Sequence, residues 1–120
     1  MKPPHLNIRF SANDTVAMGP GKADLLDAII EHQSISAAAK SMKMSYRRAW
    51  QLVDLMNQTF QSPLVATSLG GANGGGAVVT PTGLAVLRAY RVLVAKTELA
   101  SAEELAFLTD NLKLNKAEYL

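Results

Sequence analysis

Two helical patterns meet in this chain with almost no sequence between them. "SISAAAKSMKM" supplies a short helix with Ser36 placed as its N-cap, and Ser45 is a fresh N-cap that opens "YRRAWQLVDLMNQTF". In the longer run Ala49, Leu52, Val53, Met56 and Phe60 recur at i, i+3, i+4, i+7 and i+11, which makes one buried stripe. Arg47, Gln51, Asp54 and Gln58 fall on the opposite side. Ala38, Met42, Met44, Ala49 and Leu52 stand where two such helices must face each other and a preceding helix, with Ala39 small at the closest crossing. Lys43 occupies the turn position that often holds glycine. A lysine in a left-handed conformation there costs about 1 kcal/mol, and it could meet a phosphate.

The stretch after the helix pair narrows the fold. Pro63 ends the second helix, and "PLVATSL" and "AVVT" are β-branched and aliphatic runs of strand length. Between them, from Gly70 to Gly76, fall five of the eight glycines of the chain. Glycine and asparagine supply the positive φ angles of a reversal, so this reads as a hairpin tip. A Walker-type phosphate loop would need Gly-Lys-Ser/Thr opening a helix, and no lysine follows. The dinucleotide version would need a helix where Ala77 to Val79 looks extended. A helix pair and then a hairpin is the order of a winged helix-turn-helix, mainly α with a β-hairpin wing.

The flanks complete one domain. Alternation around Leu6, Ile8 and Phe10 suggests a short edge strand, which "SANDTVAMGPG" breaks with turn formers. From Pro20 a helix sets Leu25, Leu26, Ile29 and Ile30 against Asp24, Asp27 and Glu31. Thr80-Pro81 is an N-cap and first-turn proline for the long helix "PTGLAVLRAYRVLVAKTELA". "SAEE" at 101–104 is a capping box opening a last helix with Leu105, Leu108 and Leu112. Residues 1–80 form the winged region and 81–120 a C-terminal helical region. Leu84, Leu87, Tyr90, Val94 and Leu108 offer more apolar surface than one small domain needs, which predicts a homodimer. The alternative is that these helices fold back on the core of the monomer.

Composition removes several function classes. Without cysteine there is no disulfide framework, thiolate nucleophile or thiolate metal site, which suits a reducing cytoplasm. "MKPPHLNIRF" lacks the apolar region of a signal peptide, and no run approaches membrane-spanning length, so a soluble cytoplasmic chain with no membrane partner is expected. His5 and His32 have no obvious carboxylate or nucleophile partner at a telling spacing. That argues against an enzyme and against a metal site, and no cofactor is implied.

Charge points to a partner. From His32 to Thr97 there are seven basic residues and one acid, Asp54, a local net of +6, while the two ends together carry −4. Four of the positives crowd into "KSMKMSYRR", a pattern that suits a polyanion; a solvated helix face is the competing reading. The second helix of a helix-turn-helix presents its N-terminal turns to the major groove. Those turns hold Ser45, Tyr46, Arg47, Arg48 and Gln51. Arginine can fork onto guanine O6/N7 and glutamine onto adenine N6/N7. Arg47 and Gln51 point away from the stripe and suit base readout; Arg48, to one side, suits a phosphate. Trp50 is as suited to packing as to DNA, and Lys40 is a backbone clamp or merely solvated.

"SISAAAKSMKMSYRRAWQLVDLMNQ" followed by "GGANGGGAVVTPTG" resembles the N-terminal DNA-binding domain of the molybdate-responsive ModE repressors, within the wider LysR-like winged-helix group. The resemblance runs from about Leu25 to Leu93. It implies a dimeric, sequence-specific double-stranded DNA-binding transcriptional regulator, with helix 45–60 reading DNA and wing 65–79 touching flanking backbone or minor groove through Gly71, Asn73 and Gly74. Wings of that family often carry a lysine where this one has Asn73. Members also continue into molybdate-binding domains, whereas this chain stops at Leu120, so molybdate sensing by this chain alone is not expected. The alternative function is a winged-helix interaction module that pairs with another regulator without binding DNA.

Overall fold

The computed structural model describes residues 2–68 and 76–113. It opens on a hairpin of β1 (Phe10–Ala12) and β2 (Thr15–Met18), paired antiparallel. Asn13 and Asp14 form its two-residue tip with φ of 52° and 61°, the positive pair that matches the right-handed twist of the strands. This corrects the expected edge strand around Leu6, Ile8 and Phe10, of which only Phe10 belongs to β1. Strands of three and four residues are too short to display alternation, and the turn chemistry of Asn13-Asp14 reads as a break until its partners are seen.

Helix α1 (Pro20–His32) begins with proline in its first turn and buries Leu25, Leu26 and Ile29 completely. Ile30, expected beside them, lies at the edge of that face and is exposed. The helix stops at Gln33, whose φ of 54° is left-handed and whose N–H donates to the Ile29 carbonyl at 2.8 Å. Ser34 then caps α2 (Ile35–Ser41), its hydroxyl accepting the Ala37 N–H at 3.1 Å. The expected cap, Ser36, sits inside the helix instead. Starting two residues earlier puts Ile35 on one inner face with Ala38 and Ala39, and all three are buried. After a turn, α3 (Tyr46–Thr59) starts from Ser45.

The second hairpin pairs β3 (Val65–Ser68) with β4 (Gly76–Val79), in register from Val65 opposite Val79 to Ser68 opposite Gly76. Its base is fixed on three sides. The Ala77 N–H donates to the Gln33 carbonyl at 3.0 Å, tying β4 to the end of α1. Asn57 of α3 reaches across with both ends of its amide: Oδ1 accepts the Leu64 and Val65 N–H groups at 2.8 and 3.2 Å, and Nδ2 donates to the Val65 carbonyl at 3.0 Å. Thr80 closes the third side, its N–H donating to the Leu64 carbonyl at 2.9 Å and its hydroxyl to that of Pro63 at 2.7 Å. The same hydroxyl accepts the Gly83 N–H at 3.0 Å and so caps α4 (Pro81–Ala100).

Helix α5 (Ala102–Asp110) follows almost without a break. The capping box expected at 101–104 does not form, because the Ser101 hydroxyl donates back to the Thr97 carbonyl at 2.7 Å and leaves α5 without a side-chain cap. One apolar cluster joins Met18, α1, α2, the inner stripe of α3, Leu64 and α4. Leu87 and Tyr90 belong to that cluster, so for these two the fold-back alternative holds and they are withdrawn from the expected dimer face. Val94 packs partly on the cluster, while Leu84 and Leu108 are exposed.

Two expectations about stability arise from the hairpin base. A methyl group on Gly83 would overlap the Leu64 carbonyl oxygen and stand 2.7 Å from Val79 Cγ1. Gly83→Ala should cost about 1–3 kcal/mol by overpacking, seen as a drop in melting temperature of roughly 4–8 °C per kcal/mol; an unchanged melting curve would mean that α4 can shift off the hairpin. Asn57→Ala strands the N–H of buried Leu64 and should cost about 1–3 kcal/mol. Its amide exchange at Leu64 and Val65 should quicken more than in the rest of the core, and uniform exchange would show that another contact anchors the hairpin.

Candidate nucleic-acid interface

The geometry of the helix pair is set at its turn. The N–H groups of Met42 and Met44 both donate to the Ala39 carbonyl, at 3.1 and 3.0 Å, which folds residues 42–44 back over the end of α2. Lys43 makes this possible with a φ of 56°. Ala39 and Ala49 are both buried with almost no exposure, so α2 and α3 approach backbone to backbone. The Ser45 hydroxyl accepts the Arg48 N–H at 3.0 Å, satisfying one donor of the first turn of α3.

Seven of the residues singled out in the sequence gather around this corner. Lys40, Lys43, Ser45, Tyr46, Arg47, Arg48 and Gln51 are all exposed, and no carboxylate pairs with the four cations among the described residues. Lys40 lies in the last turn of α2, where a cation also complements the helix dipole. Tyr46 and Trp50 form a tilted ring pair with centroids 6.2 Å apart. Tyr46 stays outside, whereas Trp50 is half-buried against the core cluster and packs rather than projects. Gly71, Asn73 and Gly74 lie outside the described residues.

The positive field is sharpened by where the acids go. Arg91 of α4 donates to Asp24 and Asp27 of α1 at 2.9 and 2.7 Å. Burial alone would lower its pKa, but the hydrogen bonds and charges of the two carboxylates raise it. Arg91, counted in the central positive stretch, is therefore engaged in joining α4 to α1. On the other flank of α3, the Lys22 side chain is buried and its ammonium donates to the Val16 carbonyl. Desolvation, and then the neighbouring charge of Arg48, push its pKa below the ordinary lysine value. Neither Lys22 nor Asn57 was singled out in the sequence: a lone lysine in an N-terminal turn and an asparagine beside a stripe carry no local signal. His32 lies beside Glu31, 3.8 Å away, on the surface at the end of α1.

No protein-family model matches the chain. It is 40% identical to the molybdenum-pterin-binding protein MopB of Rhodobacter capsulatus, over 86% of this chain and 37% of that protein. It is 39% identical to the DNA-binding transcriptional dual regulator ModE of Escherichia coli K12, over 62% of this chain and 28% of that protein. The chain thus spans well under half the length of the curated relatives it matches. These relatives are regulators and molybdenum-binding proteins rather than enzymes. Among solved structures, the full-length LTTR LysG of Corynebacterium glutamicum with bound effector Arg superposes with a TM-score of 0.53 at 23% identity, covering 76% of this chain and 29% of that one. No helix among the described residues is long and apolar enough to cross a membrane. With the helix pair, the hairpin and these relatives in agreement, the chain is a ModE-like winged helix-turn-helix domain.

Proposed function

We propose that this chain is a sequence-specific, double-stranded DNA-binding transcriptional regulator acting as a homodimer, with α3 as recognition helix and the β3–β4 hairpin as wing. One observation carries the reading: Lys40, Lys43, Arg47 and Arg48 surround the exposed start of α3 with no carboxylate partner among the described residues. Arg47 and Gln51, one helical turn apart, read base edges, while Lys40, Lys43 and Arg48 hold phosphates and the Ser45 hydroxyl donates to one. Tyr46 adds an exposed aromatic edge beside them. Gly71, Asn73 and Gly74 carry the wing contact to the flanking backbone. The protein works in the cytoplasm, a compartment its cysteine-free sequence suits. The molybdenum in the names of several relatives belongs to those proteins; the partner proposed for this chain is DNA.

The dimer forms through the outer faces of α4 and α5. Leu99 and Phe107 are 80% and 68% exposed, and Leu84, Val92, Leu93 and Leu108 are also uncovered. Light scattering at micromolar concentration should give twice the chain mass; a monomer would remove the dimer from the proposal. In the dimer the two recognition helices should sit about one DNA turn, roughly 34 Å, apart on a pseudo-palindromic site.

Titration of variants against selected and random duplexes at several salt concentrations tests the DNA reading. Arg47→Ala should cost about 1–3 kcal/mol on the selected duplex and relax sequence choice. Lys43→Gly should weaken both duplexes alike and lower the salt slope by about one unit, while relieving the left-handed strain at that residue. Wild-type protein with no salt-sensitive DNA affinity would overturn the proposal.

A further inference from the structure

A groove of about 870 Å³ runs between the start of α1 and the outer flank of α3. Three cations line it from three separate segments: Arg9 from the stretch before β1, Lys22 from α1 and Arg48 from α3. None of the three has a carboxylate partner among the described residues. The one acid along the groove, Asp54, accepts a hydrogen bond from Gln58 at 3.0 Å, and the acids of α1, Asp24 and Asp27, are held by Arg91.

The fold positions two of these residues, Arg9 and Lys22, through contacts with the core and the first hairpin. Tyr90 in the core donates its hydroxyl to the Ile8 carbonyl at 2.8 Å, which pins the chain at the residue before Arg9. The Arg9 stem then lies over Gly19: a Cβ added there would be 3.4 Å from Arg9 Cγ. Lys22 is held under the groove by the Val16 carbonyl. The first turn of α1, which has no side-chain cap, opens onto the same space, so its free N–H groups add to the positive potential. Burial, and then the charge of Arg48, disfavour the charged form of Lys22, a cost that an anion from outside would offset.

Gln51 and Arg48, the proposed base and backbone contacts of α3, form part of the groove wall. The wing is tied to Gln33, at the other end of α1. We infer that this groove receives a backbone phosphate of the bound duplex, with Arg9 and Lys22 joining Arg48 as its ligands. This rests on the DNA-binding reading.

The experiment is a titration of the full chain and its Arg9→Gln variant against selected and random duplexes, from 0.05 to roughly 0.5 M salt. Losing one phosphate contact should lower the salt slope by about 0.9 and weaken both duplexes about eightfold at 0.1 M. Circular dichroism should show Arg9→Gln folded. If the wild-type protein binds DNA and Arg9→Gln keeps its slope, the groove inference falls and the DNA reading stands. If the wild type has no salt-sensitive affinity, the DNA reading itself falls. Inorganic phosphate supplies the remaining arm: saturable binding that Arg9→Gln abolishes, with an unchanged DNA slope, would overturn the inference in favour of a small free oxyanion.

Discussion

Everything this domain offers to a partner depends on how closely α2 and α3 cross. Two alanines, Ala39 and Ala49, let the backbones meet, and the Ala39 carbonyl collects the N–H groups of Met42 and Met44 from the turn. A larger residue at either alanine would pry the helices apart and swing the first turn of α3. The left-handed Lys43 is the other half of this constraint. Glycine would adopt that conformation without strain. Lysine there trades local backbone energy for a cation at the corner where the duplex backbone would pass.

The hairpin answers to the same crossing through α3. Asn57 is near the far end of the helix that Ser45 begins, so one rigid element carries both the exposed first turn and the anchor of β3. Gln33 does the equivalent for α1, ending the helix in a left-handed residue and offering its carbonyl to β4. Helix α3 and the β3–β4 hairpin are thus referenced to each other through backbone hydrogen bonds and one bidentate amide. Long surface side chains could not set that geometry, since they hold any one position weakly.

Where the pattern was long, it was legible. Ala49, Val53 and Met56 of the α3 stripe, the caps at Ser45 and Thr80 and the two wing strands stand where periodicity and capping chemistry put them, while Leu52 and Phe60 are only partly buried and Phe60 lies just past the end of the helix. The readings that failed depend on distant partners or on competition for one hydroxyl. Ser34 rather than Ser36 caps α2 because Ile35 must reach a core that only the tertiary fold supplies. Ser101 bonds backward instead of capping forward. At the candidate site the exposed cations of one short motif were readable, but Arg9 and Lys22 reach the same flank from separate elements, and only folding brings them beside Arg48.

The proposed dimer keeps a physical basis in helix α4 even though two of its expected contacts lie inside the monomer. Gly83, Leu87 and Tyr90 are buried at successive turns, and beyond the half-buried Val94 only Glu98 is partly covered. A 20-residue helix is about 30 Å long, so its second half projects past the core that anchors the first. Helix α5 continues from it with no buried residue at all. Amphipathic helices in water draw most of their stability from packing an apolar face. A nine-residue helix presenting Phe107 and Leu108 to solvent has that face and nothing among the described residues to cover it. A second copy would bring an identical face, and two-fold symmetry lets each cover the other.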